Sequence, residues 1–250
     1  MDANVIGTRP DSDIVEVWRT SIADTAIASL APLLSDEERD RAARFVFDRD
    51  RHQFIAVRGW LRRLLGEYLN RSPRSIRFGV GPQGKPMLAD ADHDLHFNVS
   101  HSGDVGILAF CPGREIGIDV QRADSRVEID DLAEHCFSTT ELRSLRLLPT
   151  GARPDRFFQL WTAKEAYIKA IGGGLSIPLQ DFSVDVCDET ELWTVATSAR
   201  ADAATTLSVR RIAVPFGYAG AIAAVGRDWQ VRIRDLAEHP HSLGNVTGTP

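Results

Sequence analysis

The sequence predicts an α+β fold in which one α+β unit is written twice, and three observations point to it. Short segments recur at growing offsets. IVEV from Ile14 matches GIDV from Gly117, and LSDEER from Leu34 matches FSTTEL from Phe137, both at 103. FIAVRGWLRRLLG from Phe54 matches LWTAKEAYIKAIG from Leu160 at 106, and GDVGILAF from Gly103 matches GYAGAIAA from Gly217 at 114. Such drift is what two diverged copies with loop insertions give. The element order is also shared: a strand, helices, then a meander of short strands. Finally, each copy has one long segment with helical apolar periodicity among segments of period two. The expected architecture is a long helix packed on a short, mostly antiparallel sheet, duplicated by a pseudo-two-fold, with a ligand cleft between the halves.

Taken in order, the first copy (residues 1–114) opens with the strand at Ile14 to Val17, and its long helix carries the apolar stripe Phe54, Val57, Leu61, Leu65 and Tyr68. PQGKP, Pro82 to Pro86, is a stiff turn presenting Lys85. NVSHSGD has strand signal on both sides, so Ser100 to Gly103 form a turn in which hydroxyls, backbone N–H groups and the His101 imidazole can converge on an anion. The boundary falls in CPGRE, near residues 112–115. In the second copy (residues 115–237), alternation in REIGIDVQR puts Ile116, Ile118 and Val120 on one face and Gly117, Asp119 and Gln121 on the other. In the helix that follows, Phe157, Trp161, Ile168 and Ile171 share a face, while Glu165 lies at the apolar margin between the bearings of Trp161 and Phe158. A carboxylate there is costly without a cation, a metal or hydrogen bonds. The tail, residues 238–250, lacks periodicity and is expected to be loose.

Composition narrows the function. The 250 residues are 43% hydrophobic, enough for a normal core. No run approaches the length of a membrane span, and MDANVIGTRPDSD has neither a basic nor an apolar leader region, so a cytoplasmic protein is expected. The three cysteines, Cys111, Cys136 and Cys187, form no CxxC and read as reduced thiols. His93 and His96 lie where a strand begins, so the helical pairing of a zinc site is absent. Net charge is −6, yet the stretch from Arg39 to Arg74 is dense in arginine and carries only Asp40, Asp48, Asp50 and Glu67 as acids. A basic surface on an acidic protein suits an anionic ligand or acidic partner; single-stranded nucleic acid would need interleaved exposed aromatics that this stretch lacks.

The copies differ where chemistry is expected. Glu165 pairs with Gly59, Lys169 with Arg63, and His101 with Pro215, so each half lacks what the other has. Asp119 and Glu165 together suit Mg²⁺, which keeps most of its water and is often completed by substrate phosphates.

SDEERDRAARF, GPQGKP, FNVSHSGD, IGIDVQ, FSTTEL and LWTAKEAYIKAIGGGLSIPLQDFSV, taken in that order, resemble the successive motifs of the Sfp-type 4′-phosphopantetheinyl transferases, from about Ser35 to Val184. The resemblance implies a Mg²⁺-dependent enzyme that moves the phosphopantetheine arm of its co-substrate coenzyme A to a serine of an apo acyl or peptidyl carrier protein, releasing adenosine 3′,5′-bisphosphate. It implies Asp119 and Glu165 as metal ligands, with Gln121 where the bacterial pattern has a further carboxylate; a Gln carbonyl or a water can fill that place. Ser100 and His101 would meet the 3′-phosphate, with Arg41, Arg44 and Lys85 as further nucleotide contacts. Glu165 or a metal-held water would take the serine proton, Lys169 would steady the leaving phosphate, and Glu141 of FSTTEL joins the catalytic set. The Gly172–Gly174 loop would give the pantetheine arm room. Neither nucleic acid nor membrane is an expected partner, and the protein is expected to act as a monomer. A second reading keeps the site without turnover, as a degenerate copy that binds coenzyme A or a carrier protein.

Overall fold

The computed structural model describes residues 9–81, 84–90, 93–124, 128–174, 177–187, 189–197 and 207–239. Strand β1 (Ile14–Ser21) is followed by the one-turn helix α1 (Ile27–Leu30), α2 (Asp36–Ala43) and the long α3 (Asp48–Leu69). A hairpin of β2 (Phe78–Val80) and β3 (Pro86–Leu88) leads to β4 (Leu95–Ser102) and β5 (Val105–Pro112). Then come β6 (Ile116–Arg122), α4 (Ile129–Cys136), α5 (Thr139–Leu147) and the long α6 (Arg153–Ile171). The chain continues through β7 (Phe182–Asp185), β8 (Leu192–Thr197), β9 (Leu207–Arg211), β10 (Tyr218–Val225) and β11 (Gln230–Asp235).

The duplication holds in local detail. Helices α2 and α5, which the repeat aligns, both open with a capping box: Ser35 with Glu38, and Ser138 with Glu141. Both long helices stop on a left-handed residue, Asn70 at φ 50° and Gly172 at φ 69°. Strand β1 pairs antiparallel with β5 as β6 does with β10. Two sheets result, ordered β11-β1-β5-β4 and β6-β10-β9-β8-β7.

Burial explains why the sheets pack as they do. Trp60, Leu61, Leu64 and Leu65 of α3 pack on Trp18, Leu108 and Phe110 of the first sheet. Phe157, Ala163 and Ala166 of α6 pack on Val184, Trp193, Val209 and Ala221 of the second. The remaining faces meet each other, Val15, Val17, Ile107 and Ala109 against Ile118, Val120, Ile222 and Trp229. The layers run helix, sheet, sheet, helix, and all eight residues of β5 are buried because both its faces are covered.

One expectation needs correction. Strand β11, placed by the sequence in the second unit, pairs parallel with β1 in the first sheet, Ile14 opposite Gln230 through Arg19 opposite Asp235. Arg234 Nε donates to the buried Glu16 carboxylate at 2.6 Å, and His239, itself buried, packs edge-on against Trp18 and Trp60 with both ring centroids at 5.5 Å. The alternation of QVRIRD marks a strand but does not say whose edge it joins. Residues 240–250, most of the expected loose tail, lie outside the described residues, as do Pro82 and Gln83 of the PQGKP turn.

Candidate active site

Gly117 decides the geometry. A Cβ there would lie 2.1 Å from Ala166 O and 2.2 Å from Ala170 N, so α6 rests directly on the β6 backbone. That contact carries Lys169 onto Asp119, the next residue on the same face of β6. Lys169 Nζ donates to Asp119 Oδ1 at 2.7 Å, to Ser100 Oγ at 3.2 Å and to Ile118 O at 3.1 Å. Ser100 Oγ donates to the same carboxylate oxygen at 2.8 Å, and Gln121 Nε2 to Oδ2 at 3.2 Å. Asp119 is 2% exposed, so it sits behind these groups.

Glu165, one turn before Lys169 on α6, faces a cavity of about 490 Å³ lined by residues of both halves, among them Lys85, Asn98, His135, Lys169 and Gly174. Burial raises the Glu165 pKa, the Asp119 charge raises it further, and Lys169 partly offsets both. In the first half the equivalent position is closed: a Cβ on Gly59 would lie 2.6 Å from that of Leu30 in α1. One copy has filled this position with a helix and the other has left it open to a cleft. His101 stands at the rim of the cluster. Loss of solvation, then the neighbouring ammonium of Lys169, lower its pKa.

Other expected site residues lie elsewhere or are already engaged. Lys85 reaches across the halves and donates to Glu115 at 2.6 Å, to Ile116 O at 3.0 Å and to Ala170 O at 3.1 Å. Arg41 lies over the Phe54 ring at 5.1 Å, and Arg44 caps α2; both are exposed and neither lines the cavity. Glu141 is buried and does not line the cavity. Its carboxylate accepts from Ser138 N and Val184 N, both at 2.8 Å, and from Lys164 Nζ at 2.6 and 2.9 Å. Glu38, its repeat partner, is bound by Arg58, the repeat partner of Lys164, so this buried acid and base are part of the duplicated scaffold. Gln121 turns its amide nitrogen toward Asp119 while its Oε1 accepts from Ser102 at 3.4 Å. The sequence reading passed over Asn98 and Ser102, although Asn98, Ser100 and Ser102 form a polar period-two stripe.

Among the described residues no group of three or more His, Cys, Asp and Glu side chains forms a metal cluster. Asp119 and Glu165 nevertheless offer carboxylate oxygens, and after burial the Asp119 charge is the next cause of the raised Glu165 pKa, so a cation beside the pair is favoured. The set fits a hard divalent ion that keeps most of its shell.

The chain is thus a duplicated α+β protein with the Glu165 carboxylate and the Lys169 ammonium in the wall of a cavity between its halves, and the Asp119 carboxylate buried behind Lys169. Residues 115–223 match the model of the 4′-phosphopantetheinyl transferase superfamily, and residues 16–113 that of the 4′-phosphopantetheinyl transferase N-terminal domain. The 4′-phosphopantetheinyl transferase HetI of Nostoc sp. is 34% identical over 223 residues, covering 88% of this chain and 91% of its own. Sfp of Bacillus subtilis is 35% identical over 151 residues, 60% and 66% of the two chains, and a putative 4′-phosphopantetheinyl transferase of Synechocystis sp. is 37% identical over 162 residues, 64% and 66%. The chain belongs to the 4′-phosphopantetheinyl transferase family, enzymes that transfer phosphopantetheine from coenzyme A to carrier proteins.

Proposed function

We propose that this chain performs the family's transfer in the cavity between its halves, with Mg²⁺ held by Asp119 and Glu165. The carrier serine oxygen bonds to the phosphorus bearing pantetheine, the bond to the neighbouring phosphate breaks, and adenosine 3′,5′-bisphosphate leaves with the electron pair. Mg²⁺, when bound, supplies charge neutralisation at the pyrophosphate. Glu165 accepts the serine proton, a role its place in the cavity wall allows. Lys169, poised on Asp119, offers its ammonium to the leaving phosphate. His101, beside Lys169, is the contact for the 3′-phosphate, and Gly172 and Gly174 in the cavity wall leave room for the pantetheine arm.

The observation that carries this reading is the convergence of Glu165, Asp119 and Lys169 beside one cavity shared by both halves. Because one chain completes the cavity, no second copy is required, which supports a monomer. The three cysteines are free thiols, in keeping with a reducing cytoplasm. Among the described residues no helix is long and apolar enough to cross a membrane. The test is incubation with coenzyme A, Mg²⁺ and a panel of apo carrier proteins, read by intact mass. A carrier should gain one phosphopantetheine, and Glu165→Gln should lose most of the turnover while still binding coenzyme A without metal. Near-normal turnover in that variant would sink the role given to Glu165.

A further inference from the structure

A buried edge strand leaves alternate N–H and C=O groups without ladder partners, and such groups must be satisfied by other means. Strands β4 and β6 are the facing edges of the two sheets, and β4 answers β6 with side chains. Asn98 Oδ1 accepts from Ile118 N at 2.9 Å, Ser100 Oγ from Val120 N at 3.3 Å, and Ser102 Oγ from Arg122 N at 3.1 Å. On the carbonyl side Lys85 donates to Ile116 O and Lys169 to Ile118 O. This ladder fixes the register between the halves.

The middle rung does more. Ser100 is 6% exposed, and its hydroxyl has one proton and two lone pairs. The proton goes to Asp119 Oδ1, and the lone pairs receive Val120 N and Lys169 Nζ. A hydroxyl can serve a phosphate oxygen only as a donor, and this one has no second proton to give. We infer that Ser100 is a positioning residue: it orients the Asp119 carboxylate and the Lys169 ammonium, and it is not a contact for the 3′-phosphate. Its bond holds Oδ1 against the seam and leaves Oδ2, met by the Gln121 amide, as the oxygen that can change partner.

The inference rests on the proposed transfer, and its test separates the two. Steady-state kinetics of Ser100→Ala are measured on coenzyme A and on 3′-dephospho-coenzyme A, together with Mn²⁺ binding to the protein alone by electron paramagnetic resonance. Loss of one hydrogen bond to a charged group should lower kcat/KM about 10- to 100-fold. The factor should be the same for both substrates and carried by kcat, Mn²⁺ binding should weaken, and Ser100→Thr, which keeps the hydroxyl, should restore both. A loss confined to coenzyme A and carried by KM overturns the inference, as does Mn²⁺ binding equal to that of the unmodified protein. If the alanine variant does not fold, Ser100→Cys, which fills the space with a weaker donor, is measured in its place and read the same way. Failure of the transfer itself shows in the unmodified protein, which would then modify no carrier, while the Mn²⁺ measurement still reports on Ser100.

Discussion

Gly117→Ala is the most direct probe of how the site is assembled. The added methyl would sit 2.1 Å from Ala166 O, 2.2 Å from Ala170 N and 2.7 Å from Lys169 C, all of them main-chain atoms of α6, where ordinary contact begins at 3.4 Å. No side chain can rotate away, so the helix must lift from β6 by about an ångström. Overpacking of this kind costs about 1–3 kcal/mol or somewhat more. The functional cost should be larger than the stability cost implies, because the lift withdraws Lys169 from Asp119, now at 2.7 Å, and carries Glu165 with it. An ångström of misplacement in a reacting group costs about 100-fold in rate. The assay pairs thermal unfolding with phosphopantetheine transfer at saturating coenzyme A. Gly79→Ala is the control, since its Cβ would meet nothing closer than 3.6 Å, and it should be close to neutral in both measurements. A Gly117→Ala protein with unchanged melting temperature and unchanged kcat would refute the close-approach reasoning.

Removing one member of the buried Lys164–Glu141 pair strands a charge, so Glu141→Ala should destabilise by about 3–5 kcal/mol in denaturant titration, while turnover per folded molecule is kept. A specific loss of kcat in well-folded Glu141→Gln would return Glu141 to the catalytic set. Glu115 is held at about 2 by hydrogen bonding from His96 and then Lys85. Its folded pKa is depressed from 4.5, so its contribution is present above about 4.5 and is lost as pH falls toward 2; Glu115→Gln should flatten the stability profile in that window and lower stability by a pH-independent amount above it, neutrality included. Gln121→Glu adds a charge beside Asp119 in place of an amide donor, and should lower the Mg²⁺ concentration for half-maximal transfer with little change in saturated turnover. A metal titration that does not shift would place Gln121 away from the ion.

The sequence by itself determined the duplication and the two long helices, and it singled out Asp119, Glu165 and Lys169 as candidates; that Lys169 bonds Asp119 came from the structure. Duplication, helices and candidates are carried by periodicity and by residue types spaced along single elements, and both survive in one dimension because a helix and a strand fix which side chains share a face. The difference between Glu165 and Gly59 was visible too; its cause, Leu30 of α1 closing one copy, was not.

Tertiary structure alone decided the rest. Glu141 and Arg41 sit in motifs as suggestive as those of Asp119, yet one capping carboxylate turned out to be saturated by Lys164 and two backbone amides, and one guanidinium lay on Phe54. The sequence placed β11 with its chain neighbours, whereas the chain returned it to β1. It set Ser100 beside His101, whereas the seam between the sheets gave every bond of that hydroxyl to Asp119, Val120 and Lys169. The physical reason is common to these cases. A residue's type sets how many hydrogen bonds and charges it can form, but which groups satisfy them is settled by non-local packing, and a polar group already satisfied inside the protein is not free to serve a ligand.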